Sequence, residues 1–159
     1  MPQPKVYLEA LGLELPPERV TSEELEQRLE PLLARLGLSV GRLELMSDIA
    51  ERRLCPPDTR PSSLSIAAAK DALGRTTLDP SQINLLIHAG VCRDFLEPAT
   101  ASVVHAGLEL PDTCAAFDLS NACLGVADGM AFAAQAIRSG SIQAALVTTG
   151  EDGRPLIET

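Results

Sequence analysis

The sequence predicts an α/β fold, in which a mostly parallel β-sheet is covered by helices on both faces. A continuous apolar run at 83–89 is typical of a strand that is buried on both sides. Similar runs at 114–119 and 144–149 predict two more strands, and Ala-rich helical segments separate the three. Strands that alternate with helices along a chain indicate a parallel sheet with helical crossovers.

Two shorter strands are predicted in the first third of the chain. Alternating apolar residues indicate the first at Val6–Leu13, and Pro16-Pro17 ends it. The second is expected at Ile49–Leu54, with Arg52 and Arg53 exposed.

A helix is predicted between these two strands. Thr21 opens it, because Glu24 stands three residues later in the arrangement of a capping box. Leucines form its apolar stripe, and Gly37 closes it. Pro31 lies inside this pattern, so the helix is expected to kink or to split in two.

Three further helices are predicted in the rest of the chain. Ser62 or Ser63 is expected to cap the first, which runs to Leu73. Pro98 opens the second, Ala99–Leu108, and the third runs from about Cys123 to Arg138. Turns, loops and a polar tail are expected at 79–80, 90–97, 120–122 and 150–159.

Composition excludes several classes of function. The chain has 159 residues, 45% of them hydrophobic, which is enough for one globular domain with a core. Its net charge of -9 argues against nucleic-acid binding, which needs clustered Lys and Arg. No apolar run approaches the roughly 20 residues of a membrane span, and the N-terminus does not resemble a signal peptide. We therefore expect a cytoplasmic protein.

The cysteines and histidines do not predict a metal site. No two cysteines form a CxxC pair, and the two histidines lack ligand spacing to each other or to a cysteine. The cysteines are expected to be free thiols, and the histidines to be ordinary packed residues. The residues are Cys55, Cys92, Cys114, Cys123, His88 and His105.

Cys123 is the candidate nucleophile. It follows a predicted buried strand that ends at Leu119, and it falls in the first turn of a predicted helix that begins just past Asn121. Unpaired backbone N–H groups and the helix dipole favour the thiolate there, and the same N–H groups could stabilise an oxyanion. The alternative is that Cys123 is a small core residue, which is our interpretation of the other three cysteines.

The segment Asn121-Ala122-Cys123-Leu124-Gly125 resembles the nucleophile turn of the thiolase superfamily, in its ketoacyl-synthase III branch. The segments 49–53, 83–89 and 149–152 follow in the order that this family shows, so the resemblance spans nearly all of the chain. It implies that residues 1–159 form the N-terminal half of a five-layer αβαβα sandwich, with the nucleophilic cysteine.

Residues 91–100 are similar to the olefin-pathway 3-ketoacyl thiolases, which join two acyl-CoA molecules head to head by a non-decarboxylative Claisen condensation. This resemblance implies that Cys123 accepts one acyl group. It also implies that Glu97 reaches across a dimer to deprotonate the second acyl-CoA, giving a 2-alkyl-3-ketoacyl product. Acyl-CoA is then a substrate, and no permanently bound cofactor is expected. Alternatively, Glu97 is a carboxylate that the dipole of the following helix favours.

The chain departs from the family at the expected nucleotide contacts. The family often has Arg and Trp before the Ile-x-Glu-Arg-Arg segment, where Arg42 and Met46 stand here, and Asp48 occupies a position usually held by Gly. The acyl carrier is therefore left open between CoA and a carrier protein. Arg52 and Arg53 are interpreted as a solvated edge.

The resemblance covers only the first of the family's two similar halves. The second half carries a His and an Asn that complete the site, and His88 and His105 lie in the wrong segments to replace them. We expect a companion chain to supply that half, in a dimer of two-chain units, unless the sequence is an engineered or truncated piece. Two other functions stay open: decarboxylative condensation with malonyl-carrier protein, and a non-catalytic structural partner.

Overall fold

The structure is a computed structural model that describes residues 4–154 and divides into two compact units. The sheet unit comprises residues 4–14 and 59–151, and the small unit comprises residues 15–58 and 152–154. The last five residues of the predicted polar tail, 155–159, lie outside the described residues.

The small unit is built on a two-stranded antiparallel sheet. Strand β1 (Glu18–Thr21) pairs with β2 (Glu51–Leu54), and Val20 and Leu54 pack with Leu25 in its core. Three short helices lie between the strands along the chain: α1 (Ser22–Arg28), α2 (Glu30–Arg35) and α3 (Arg42–Ser47). The sequence predicted β2, but it missed β1 and α3.

The predicted capping box and helix break are both confirmed. The Glu24 N–H donates to Thr21 Oγ1 at 3.1 Å, and the Thr21 N–H donates to Glu24 Oε2 at 2.8 Å. Pro31 stands in the first turn of α2, so the predicted helix is split into α1 and α2. Gly37 follows α2 with a φ of 65°, the left-handed conformation that ends a helix.

The predicted strand at Val6–Leu13 is wrong. This segment has no regular structure and lies against the helix α4 (Pro61–Leu73). A Cβ on Gly12 would lie 2.1 Å from the Ala68 carbonyl oxygen, and the Leu13 N–H donates to Asp71 Oδ2 at 2.9 Å. Contact with a helix replaces strand pairing here, although the alternating pattern suits a strand.

The sheet unit contains the three predicted parallel strands. They are β3 (Ile83–Ala89), β4 (Ala115–Leu119) and β5 (Ala144–Thr148), in the order β4-β3-β5. Helices α4 and α5 (Thr100–Gly107) pack on one face of the sheet, and α6 (Gly125–Arg138) packs on the other. The α/β architecture is therefore as predicted.

Helix α4 begins without the predicted serine cap. Its N-cap is Arg60, with no side-chain hydrogen bond, and Pro61 occupies the first helical position. Ser62 lies inside the helix and is buried, where its backbone N–H donates to Asp94 Oδ1 at 2.9 Å. The start of the helix is thus stabilised by a tertiary contact rather than by a local cap.

Helix α6 contacts the sheet through its small residues. Gly125, Gly129 and Ala133 are buried and recur every four residues, so they form one stripe along the helix. Val126, Met130 and Phe132 are exposed on other sides of the same helix. Val126 and Met130 lie four residues apart on one side of the helix, whereas Phe132 lies across the buried stripe and packs edge-on against Phe117. No helix within residues 4–154 is both long and apolar enough to span a bilayer.

Candidate active site

Cys123 lies in a tight turn between β4 and α6. Residues Ala122–Leu124 form a single 3₁₀ turn, and the α-helix begins at Gly125, two residues later than predicted. Ala122 has a φ of 44°, in the left-handed region, so a regular helix cannot include it. Cys123 is exposed, so it does not pack in the core of the residues that the structure describes.

The turn is tied to the first turn of α6 by a side chain. The Leu124 N–H donates to the Asn121 carbonyl oxygen at 2.9 Å, which closes the 3₁₀ turn. Asn121 Nδ2 donates to Asp128 Oδ2 at 2.5 Å. Sequence analysis did not single out Asp128, and its acidic side chain in the first turn of a helix was the available signal.

The other cysteines are less accessible than Cys123. Cys55 and Cys114 are buried, and Cys92 is half-buried. Burial raises the pKa of the Cys55 and Cys114 thiols above the ordinary value, and the nearby Asp152 carboxylate adds to the rise at Cys55. A thiol of raised pKa is a poor nucleophile, so Cys55 and Cys114 are disfavoured for that role.

Glu97 stands at the end of the loop that follows β3. It is exposed, it precedes Pro98 through a cis peptide bond, and its neighbour Leu96 is 89% exposed. The Gly90 N–H donates to the Leu119 carbonyl oxygen at 3.1 Å, which extends the pairing of β3 with β4. The Glu97 loop and the Cys123 turn therefore leave the same edge of the sheet, from adjacent parallel strands.

Two carboxylates that sequence analysis missed anchor the Glu97 loop. Glu151, which follows β5, accepts the Val91 N–H at 2.7 Å and the Cys92 N–H at 3.2 Å. Asp94, inside the loop, accepts the backbone N–H and the hydroxyl of Ser62 on α4. The loop is thus bonded to α4 at one point and to the end of β5 at another.

His88 lies in β3 beneath this loop, as a packed histidine. It is 1% exposed, and its Nδ1 lies 3.1 Å from Ser65 Oγ. Burial lowers the pKa of His88 below its ordinary value, against the opposing effect of the Asp118, Glu151 and Asp94 carboxylates. A neutral, buried imidazole of this kind supports the structure of the edge and is not exposed to a substrate.

His105 is half-buried on α5 and was also expected to be a packing residue. Its Nε2 lies 3.2 Å from the Pro111 carbonyl oxygen, just past the helix. This contact links the end of α5 to the following turn.

The interpretation of Arg52 and Arg53 as a solvated edge is wrong. Both are half-buried in the small unit. Arg52 donates to Ser22 Oγ at 2.6 Å and to Ser47 Oγ at 3.2 Å, and Arg53 donates to the Pro16 carbonyl oxygen at 3.2 Å. The two guanidinium groups join the strands and helices of this unit.

Asp48, where the family usually has Gly, ends α3 with a φ of 55°. This is the left-handed conformation in which glycine is favoured and in which Asp is tolerated better than most residues. The departure from the family pattern is therefore compatible with the same backbone.

The match to a known protein family shows which family this chain belongs to. A family model described as thiolase, N-terminal domain, matches residues 45–152, which include the Glu97 loop and the Cys123 turn. The chain belongs to the thiolase family. As a thiolase-family chain it corresponds to the N-terminal half of the fold, as the sequence predicted.

Two curated relatives of this thiolase-family chain are named acyl-CoA:acyl-CoA alkyltransferase. The protein from Shewanella oneidensis is 38% identical over 97% of the chain, and that from Xanthomonas campestris is 39% identical over 89%. The matches cover 44% and 42% of those relatives, so the chain spans less than half of their length.

Solved structures of Xanthomonas campestris OleA show the same fold. Two of them, one with a glutamate replaced by glutamine and one with a cysteine replaced by alanine, superpose with a TM-score of 0.86 at 38% identity. Each match covers 94% of this thiolase-family chain and 43% of the OleA chain.

Proposed function

We propose that this chain is the nucleophilic half of an acyl-condensing enzyme that joins two acyl-CoA molecules. The Cys123 thiolate attacks the carbonyl carbon of an acyl-CoA thioester and expels the CoA thiolate, which takes a proton from solvent, and an acyl-enzyme is left. Glu97 removes a proton from the α-carbon of a second acyl-CoA. That carbanion attacks the acyl-Cys123 carbonyl carbon, forms the new carbon–carbon bond and expels the Cys123 thiolate.

The observation that carries this proposal is the placement of Cys123. It is an exposed thiol in a tight turn at the carboxyl edge of a parallel sheet, where ligands of α/β folds bind. The backbone N–H groups of this turn and of the start of α6 are candidates for holding the oxyanion that forms when the thioester is attacked.

The relatives support the proposed roles of the two residues. In the OleA structures, one glutamate and one cysteine were chosen for replacement. The number of residues that separates those two equals the number that separates Glu97 from Cys123. The two curated relatives carry the name of a transfer between two acyl-CoA molecules, which is the reaction that a base at Glu97 would serve.

We further propose that Glu97 acts in trans, in a dimer of such units. Leu96 beside it is 89% exposed, and Val91 in the same loop is 60% exposed. Exposed apolar side chains in the same loop as a charged residue are typical of a protein interface rather than of a free loop.

The rest of the site is proposed to come from the family's second half, supplied by a companion chain or by a continuation of this one. A histidine was replaced in a further OleA structure, and it lies further past the OleA cysteine than this sequence extends past Cys123. The side of α6 that exposes Val126 and Met130 is the proposed contact surface for that half.

The test is intact-mass measurement of this chain with its second half present, after incubation with a long-chain acyl-CoA. We expect an acyl adduct that maps to Cys123 and is lost in Cys123→Ala. Glu97→Gln should retain the adduct but release no condensed product, while Asp112→Asn, at an exposed carboxylate elsewhere, should behave as wild type.

Each contrary outcome points to one of the other two functions. The absence of an adduct in wild type would indicate a non-catalytic structural partner. If Glu97→Gln forms a product from malonyl-carrier protein but not from two acyl-CoA molecules, the reaction is decarboxylative condensation, which needs no base at this position.

A further inference from the structure

We infer that Asp118 is a positioning residue for the proposed condensation, because it fixes the segment that carries Glu97 to the strand that carries Cys123. This inference rests on the proposed function and adds a residue to it. Asp118 lies in β4, one residue before the strand ends and five residues before Cys123.

The Asp118 carboxylate caps the helix that follows Glu97. Its Oδ2 accepts the Thr100 N–H at 2.9 Å, and its Oδ1 accepts the Ala101 N–H at 2.7 Å. Thr100 and Ala101 are the first two residues of α5, and both are fully buried. Both oxygens of one side chain are therefore used on the first turn of one helix.

This helix has no local cap that could replace Asp118. The residue at its N-cap position is Ala99, whose side chain has no hydrogen-bond acceptor. The first N–H groups of a helix lack partners within the helix, and a buried N–H without a partner is costly. A carboxylate at this end also interacts favourably with the helix dipole.

The start of α5 is bonded to the Glu97 loop as well. The Asp94 N–H donates to Thr100 Oγ1 at 3.3 Å, and Asp94 itself is held by Ser62 of α4. Glu97 lies between these two fixed points, three residues after Asp94 and three before Thr100. Asp118 connects this short segment to β4, and the Cys123 turn begins at the end of the same strand.

Only one of the two chemical steps depends on the position of Glu97. Acylation of Cys123 uses the thiolate and the oxyanion donors, whereas condensation also needs the base within reach of an α-proton. A shift of about 1 Å in a catalytic group can lower a rate by about a hundredfold. Loss of the Asp118 contacts should therefore slow condensation far more than acylation.

The experiment compares the two steps in Asp118→Asn, using the chain together with its second half. We expect acylation of Cys123 within about twofold of wild type and condensation slower by about tenfold or more. Asp79→Asn is the matched control, because Asp79 caps the 3₁₀ turn that precedes β3 by accepting the Ser81 N–H at 2.8 Å. It should leave the ratio of the two rates unchanged.

A second variant separates positioning from simple helix capping. Asp118→Asn combined with Ala99→Ser gives α5 a local cap, which should restore the melting temperature and provide folded protein if the single variant unfolds. It cannot restore the second oxygen with which Asp118 ties α5 to β4, so condensation should stay slow.

Two outcomes would overturn the inference: an unchanged ratio of condensation to acylation in Asp118→Asn, or recovery of condensation in the double variant. Failure of the proposed function would give different results. Either the wild-type chain would not be acylated at Cys123, or Glu97→Gln would condense acyl-CoA at the wild-type rate.

Discussion

Gly129 of α6 packs directly on Val147 of β5. A Cβ built on Gly129 would lie 3.0 Å from Val147 Cγ1, whereas a Cβ on Gly125, one turn earlier, would lie 3.6 Å from the nearest atom, Ala89 Cβ. The first distance is tighter than ordinary van der Waals contact and the second is within it. The helix that follows the Cys123 turn is therefore held closest to the sheet at Gly129.

Gly129→Ala should destabilise the protein relative to Gly125→Ala by at least about 1 kcal/mol. The gain in helix propensity is larger at Gly129, inside the helix, than at Gly125, its first residue, so a net loss of stability at Gly129 reports the packing. Urea unfolding followed by circular dichroism measures it. Equal stabilities would show that α6 can move away from β5 at no cost.

Ala122→Val should strain the turn that carries Cys123. Ala122 has a φ of 44°, and a β-branched side chain is disfavoured there by about 1–2 kcal/mol. We expect slower acylation of Cys123 as well as lower stability. Ala122→Gly, which adopts this conformation freely, is the control and should be at least as stable as wild type. Fast acylation in the valine variant would contradict the link between turn geometry and reactivity.

The stability of the protein should fall as the pH drops below about 6.5. Burial holds the pKa of His88 below that of an unfolded histidine, so the unfolded chain binds a proton at a pH where the folded protein does not. The contribution of neutral His88 to stability is therefore fully present above the pKa that His88 has in the unfolded chain. It is lost as the pH falls toward the lower pKa that His88 has in the folded protein. Chemical denaturation between pH 8 and pH 5.5 measures this slope.

His88→Asn should flatten that slope, because it removes the group whose pKa differs between the two states. His105→Asn, at the half-buried histidine on α5, is the matched control. The same slope in His88→Asn as in wild type would assign the pH dependence to other groups.

Cys123 should be alkylated before the buried thiols. Brief treatment with iodoacetamide near pH 7 should modify Cys123, while Cys55 and Cys114 react only after unfolding, because burial shields them and raises their pKa. Peptide mass spectrometry distinguishes the sites. Early modification of Cys114 would show that the segment just before β4 opens readily in the folded chain.

Met130→Glu should weaken the association of this chain with the family's second half. Met130 is 43% exposed on the side of α6 that also exposes Val126, and a charge placed in an apolar interface loses its hydration without gaining a partner. Gel filtration of the two halves together measures the effect, with Gln135→Glu as a control at an exposed polar position of the same helix. Equal association of both variants would place the contact surface elsewhere.

Local signals in the sequence were sufficient for several elements. The capping box of Thr21 and Glu24 and the break at Pro31 depend on residues within one or two helical turns, so spacing alone predicts them. The apolar run of β3 is long and continuous enough to indicate a buried strand. In each case the physical cause acts between neighbours in the chain.

Two of the structural predictions that failed were decided by distant contacts. Val6–Leu13 has the alternation of a strand, but its backbone contacts α4 through Gly12 and Leu13. Serine is a common helix cap, but Ser62 lies inside α4, where its backbone N–H and its hydroxyl donate to Asp94. A strand or a cap needs a hydrogen-bond partner, and the sequence does not show which distant group provides one.

The sequence by itself determined the family, the parallel sheet and the two residues to which the proposed chemistry is assigned, because these follow from the order of motifs and from local patterns. The tertiary structure alone decided how those residues are held. Asp128 ties the Cys123 turn to α6, Glu151 ties the Glu97 loop to the end of β5, and Asp118 caps α5. Glu151 and Asp118 lie far along the chain from the groups they bind, and folding of the backbone brings them within hydrogen-bond distance.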